Sequence, residues 1–112
     1  MKGTIKSKED VERLFSQGRR STSSSMTIIV AKGSNPNRGR CAFIAGKKLG
    51  NAPFRSRCKR VMRALAKDLG APWNGYDVIF LARRGVAFGT RDELTLQAQN
   101  LLVKLGVVDE RA

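Results

Sequence analysis

The sequence predicts a small α+β sandwich, one domain over residues 1–112. Three observations lead there. The length is that of one domain. A hydrophobic fraction of 41% is enough for one core and too high for a disordered chain. The apolar spacing also changes period along the chain, helical in three stretches and strand-like in three others. The order is helix, strand, strand, helix, strand, helix, and the sheet needs helices on at least one face.

Each element has a local reason. Ser7 can cap a helix, with Asp10 three residues on as a short capping box. Val11, Leu14 and Phe15 then share a face, and Gly18 offers the stop. RRSTSSS, from Arg19 to Ser25, is polar and reads as a turn. MTIIVA, Met26 to Ala31, is β-branched and short, a strand. Lys32 to Gly39 is a loop by its Gly, Asn and Pro, and Arg40 to Gly46 is a second strand. The connection between these strands permits an antiparallel hairpin.

Asn51 is placed to cap a helix from Ala52 to Leu69, with Pro53 in its first turn and Gly70 and Pro72 ending it. YDVIFLA, Tyr76 to Ala82, lacks polar alternation and is expected at the centre of the sheet. Arg83 to Gly89 is a loop. Thr90 and Glu93 form a capping box for a last helix carrying Leu94, Ala98, Leu101, Leu102 and Leu105 up to Gly106.

Charge is the strongest functional signal. The chain carries 22 Lys and Arg against 9 Asp and Glu, a net charge of +13. Between Arg13 and Lys67 there is no acid at all. A solvated surface mixes its signs, so this one-sided stretch implies a positive field and a polyanionic partner. Nucleic acid is the first candidate and an anionic membrane surface the second. No stretch approaches the roughly 20 apolar residues of a membrane span, and MKGTIKSKED has no apolar run to read as a secretory signal. Cys41 and Cys58 match no metal or disulfide spacing and read as reduced cytosolic thiols. There is no histidine, the commonest general base. No nucleophile–base pair or carboxylate cluster is visible, so no catalytic residue is assigned.

The charge is densest in KKLGNAPFRSRCKRVMR, Lys47 to Arg63. On a wheel of about 100° per residue, Phe54, Cys58, Val61, Met62, Leu65 and Leu69 share one arc. Arg55, Lys59, Arg63, Lys67 and Arg60 share another. Like charges four apart destabilise a lone helix by a few tenths of a kcal/mol per pair. Core packing can hold such a helix, but it does not explain an exposed face without a Glu. A face that meets phosphates does. Composition leaves RNA and DNA both open.

The same string resembles the signature of the protein subunit of bacterial ribonuclease P. Lys47, Lys48, Gly50, Asn51, Ala52, Arg55, Arg57, Lys59, Arg60 and Arg63 stand at that family's spacing. The likeness extends from about Ser7 to Leu105. Two positions depart: Ser56 stands where the family has Asn, and Gly46 where it has Ser. The resemblance implies an α/β sandwich around a mixed sheet, with a left-handed crossover through the Arg-rich helix. It implies a protein cofactor of a ribonucleoprotein endonuclease that removes the 5′ leader of precursor tRNA in the cytoplasm. Catalysis then lies in the RNA, with Mg2+ bound mainly by that RNA, no organic cofactor, and the protein alone inactive. The implied partners are the catalytic RNA subunit and precursor tRNA, with no membrane and no obligate protein partner. Carried over by position, Lys47, Lys48, Asn51, Arg55, Ser56, Arg57, Lys59, Arg60 and Arg63 are the RNA-binding residues. Val11, Phe15, Thr27 and Ile29 are expected to line a cleft for the leader. Phe15 can instead be read as a core aromatic.

Three alternatives compete. A structural or ribosomal RNA-binding protein explains charge and size, but not the signature spacing. A DNA-recognition helix would need a companion helix just upstream, where a strand is expected. A protein-only nuclease would need a carboxylate cluster.

Overall fold

The computed structural model describes residues 4–109. Its elements are α1 (Lys8–Gln17), β1 (Arg19–Thr22), β2 (Met26–Lys32), β3 (Arg40–Ile44), α2 (Ala52–Asp68), β4 (Tyr76–Ala82) and α3 (Arg91–Lys104). Short 3-10 turns cover Lys47–Leu49 and Arg84–Ala87. The predicted caps are in place. Ser7 accepts from the Asp10 amide, Asn51 from Phe54, and Thr90 with Glu93 forms a complete capping box.

The four strands form one mixed sheet in the order β1-β2-β4-β3. β2 pairs antiparallel with β1 and β4, and β3 pairs parallel with β4. Helices cover both faces. On one side Met26, Ile28, Val30, Val78 and Phe80 meet Cys58, Met62 and Leu65 of α2 and Leu94, Ala98 and Leu102 of α3. On the other, Ile29, Ala42 and Ile79 meet Leu14 of α1 and Ile5. β4 contributes to both cores. That is why its sequence is apolar without alternation and why it lies between two strands.

The structure departs from the sequence reading at two places. Arg19–Thr22, expected as a turn, is an edge strand. The expected β2–β3 hairpin does not form, because β4 lies between the two strands. The connecting loop is held against the turn before β4. Gly33 donates to the Gly75 carbonyl at 2.9 Å, and the Gly75 amide donates to Arg38 at 2.8 Å. A Cβ on Gly39 would collide with the backbone of Trp73. This contact carries the chain past the start of β4, so β3 enters on its far side. The chain then returns through α2, the crossover a parallel β3–β4 pair requires.

Candidate nucleic-acid interface

The cationic residues fall on one connected surface. Lys47 and Lys48 are exposed on the 3-10 turn that leads into α2. Arg57, Arg60, Arg63 and Ser56 are exposed along α2, and Arg55 and Lys59 are half-buried beside them. Asn51 fixes the start of the helix, its Oδ1 accepting from Phe54 N at 3.0 Å. Arg55 donates from Nε to the Gly50 carbonyl at 3.2 Å. Arg63 lies over the Phe43 ring, 5.2 Å from its centroid. Among the described residues, the ion pairs involve only Arg13, Arg40 and Arg91, and none involves these seven cations. Among the described residues no carboxylate lies within ion-pair distance of them. Around Gly46 there is open space, so the serine of the resembled pattern would fit there.

The other expected surface lies on the α1 side. Val11 and Phe15 are half-buried on α1. Of the strand residues expected there, Thr27 is 7% exposed and Ile29 is fully buried under the helix. Thr27 also bonds Thr22, Oγ1 to Oγ1, at 3.0 Å. The partly open apolar strand residues on this face are Ala31, Ile44 and Leu81, the last two in the row Thr27–Leu81–Ile44 across the sheet. The sequence reading did not select Leu81 and Ile44. Their place follows from the strand order, in which β4 stands where the expected hairpin would put β3.

The two surfaces meet at the β3 edge. A cleft of about 240 Å³ there is lined by Thr4, Ile5, Val11, Ala42, Phe43, Ile44 and Arg63. Arg63 therefore belongs both to the cationic face of α2 and to the rim next to α1.

A buried carboxylate sets the position of α1, and the sequence reading passed over it. Asp77, in the otherwise apolar β4, accepts from Arg40 Nε at 3.0 Å, Arg40 Nη2 at 2.8 Å and Arg13 Nη2 at 2.9 Å. Arg40 also donates to Asp10 at 3.0 Å. The Asp77 hydrogen bonds raise the Arg40 pKa above its ordinary value. A lone Asp at the start of the most apolar strand was the available signal. Elsewhere, burial pushes the Cys41 thiol up to about 12 and raises Cys58 as well, so neither is a poised nucleophile. Among the described residues no three His, Cys, Asp or Glu side chains come together where they could hold a metal. Nor is any helix among them long and apolar enough to cross a membrane.

Comparisons with known proteins give one consistent likeness. The family model described as Ribonuclease P matches residues 2–106. The ribonuclease P protein component of Syntrophomonas wolfei is 26% identical, over 99% of this chain and 93% of that protein. That of Streptococcus equi subsp. equi is 33% identical, over 87% and 78%. Among solved structures, the Staphylococcus aureus RNase P protein superposes with a TM-score of 0.80 at 22% identity, covering 96% of this chain and 98% of that one. The Thermotoga maritima RNase P protein gives 0.75 at 16%, covering 95% and 97%.

Proposed function

The chain belongs to the ribonuclease P family, as a protein component of that tRNA-processing ribonucleoprotein and a partner of its RNA subunit, and on that premise we propose how its two surfaces divide the work. The cationic face of α2 binds the catalytic RNA subunit. The groove between α1 and the sheet receives the single-stranded 5′ leader of precursor tRNA. The protein acts in the cytoplasm as a cofactor of Mg2+-dependent leader removal, and the RNA performs the hydrolysis.

One observation carries this reading. Seven Lys and Arg side chains between Lys47 and Arg63 share a surface on which the described residues supply no carboxylate partner. Such a face is costly in isolation and gains from phosphates, each contact releasing condensed counterions. Arginine suits the task because its fork matches phosphate oxygens. In the groove, Phe15 and Val11 on one wall and Leu81 and Ile44 on the other offer apolar surface to unstacked bases. Thr27 and Ile29 lie on the same sheet face but are buried, so they pack the groove's floor without offering it open surface. Magnesium enters the proposal as a cation held mainly by the RNA subunit.

The direct test is precursor-tRNA processing with a bacterial ribonuclease P RNA, with and without the protein. Stimulation of the RNA is expected. Cleavage by the protein alone, or no stimulation, would refute the assignment. Arg57→Ala or Arg60→Ala should weaken RNA binding and reduce the salt slope by about one unit. An unchanged slope would take that residue off the phosphates. Phe15→Ala should lower affinity for precursor tRNA more than for mature tRNA. Equal losses would assign Phe15 to packing alone.

A further inference from the structure

Phe88 is 78% exposed, the most exposed large apolar side chain among the described residues. Looseness does not explain it. The turn beneath it is fixed at several points. Val86, two residues earlier, is buried in the core shared by α2 and α3. Arg83 donates from its amide to the Ser25 carbonyl at 3.0 Å and from Nη1 to the Ser23 carbonyl at 3.1 Å. The Phe88 amide donates to Gly85 at 3.2 Å. Gly85 itself lies against the Ser24 backbone, where a Cβ would come within 2.5 Å of the carbonyl oxygen. A rigid turn therefore holds an aromatic ring in water.

The ring borders a cleft of about 350 Å³, lined by Leu49, Gly50, Asn51, Phe54, Arg84 and Phe88. The lining contains two aromatic rings, a guanidinium and an amide, and no carboxylate. Lys47 and Lys48 share the short turn with Leu49. Asn51 uses its Oδ1 on the helix cap, which leaves its two N–H donors for a partner. An aromatic face beside cations and donors matches an unstacked base and its phosphate.

We propose that this cleft takes one unpaired base of the RNA subunit, stacked on Phe88, with Arg84 on the adjoining phosphate. The proposal rests on the RNA-binding assignment of α2. The RNA subunit is chosen over the substrate because the cleft is continuous with the start of α2. Phe54, in its wall, packs on the α2 and α3 side of the sheet, opposite the α1 groove.

The test uses the full-length protein with a bacterial ribonuclease P RNA, in variants Phe88→Ala, Phe88→Leu and Phe88→Trp, with Arg57→Ala alongside. Thermal melts confirm that each variant folds. Phe88→Ala and Phe88→Leu should weaken binding roughly 5- to 100-fold, while Phe88→Trp keeps it. Nucleotide-resolution probing should find one unpaired position of the RNA subunit protected by the native protein and by Phe88→Trp, and exposed with Phe88→Ala. Loss with Arg57→Ala but none with Phe88→Ala overturns this proposal and leaves the α2 assignment standing. No loss with either overturns this proposal and takes Arg57 off the phosphates as well. Full affinity with Phe88→Leu overturns stacking. Protection in precursor tRNA instead overturns the choice of RNA. A dimer that Phe88→Ala dissociates in sedimentation shows that a second copy covers the ring, and overturns it too.

Discussion

At the scale of single residues, Asp77 shows how charge is partitioned in this protein. Its side chain is 2% exposed and satisfied by Arg13 and Arg40, each about a third exposed. These arginines lie within the acid-free stretch, yet their charge is spent holding α1 to the sheet. The α2 cations have no such partner. The sequence alone could not separate the two groups, because the partner of Arg40 is 37 residues away in a strand whose neighbour had been misassigned. Removing Asp77 would leave two guanidinium groups facing a buried vacancy. Asp77→Ala should cost about 2–3 kcal/mol, below the 3–5 typical of a fully buried pair because both arginines retain access to water. Urea denaturation measures it. A loss under about 0.5 kcal/mol would mean that the apolar contact of Leu14 alone holds α1.

At the scale of elements, the helices were legible and the sheet only partly so. A helix declares itself locally through a cap, a periodic face and a stop. α3 is the clearest case. Thr90 Oγ1 donates to Glu93 at 2.8 Å and the Thr90 amide to the same carboxylate at 3.3 Å, which lowers the Glu93 pKa. A lowered carboxyl pKa stabilises the fold fully above the unfolded value of about 4.3 and loses that contribution as pH falls through the folded value. Loss of the N-cap side chain in Thr90→Ala should cost about 1 kcal/mol at pH 7. Its deficit against the native chain should shrink below about pH 4. A deficit constant from pH 7 to pH 3 would assign the whole effect to the other half of the cap, Glu93 N to Thr90 Oγ1. Strands carry less local information. β1 is RRST, held by backbone pairing to β2 at the sheet edge, and needs no apolar alternation. β3 was recognised as a strand, but its partner is set by the contact of Gly39 with Trp73, a meeting of two loops that periodicity cannot report. The candidate site followed the same divide. Its helical half, Lys47 to Arg63, could be read directly, and its sheet half required the strand order that places Leu81 and Ile44 in one row.

At the scale of the whole molecule, the net charge of +13 sets stability and affinity against each other. Self-repulsion opposes the compact state, and the α2 row 55–59–63–67 adds like pairs worth roughly 0.2–0.5 kcal/mol each. Salt screens both, with a Debye length falling from about 10 Å at 0.1 M to about 3 Å at 1 M. The free protein should therefore become more stable as sodium chloride rises from 50 to 500 mM, read as a higher melting temperature. Binding to RNA should move the other way. With six of the seven α2-face cations on phosphates, affinity should fall about a thousandfold between 50 and 200 mM. The Asp77 cluster is shielded by burial and should be little affected over that range, so the gain in stability comes from the exposed face. Two substitutions separate the contributions. Arg60→Ala should raise the melting temperature at low salt and flatten both dependences, whereas Asp77→Ala should lower it at every salt concentration. A melting temperature that falls with salt in the native chain would show the α2 cations to be neutralised within the protein, and the face could no longer be read as one built for phosphates.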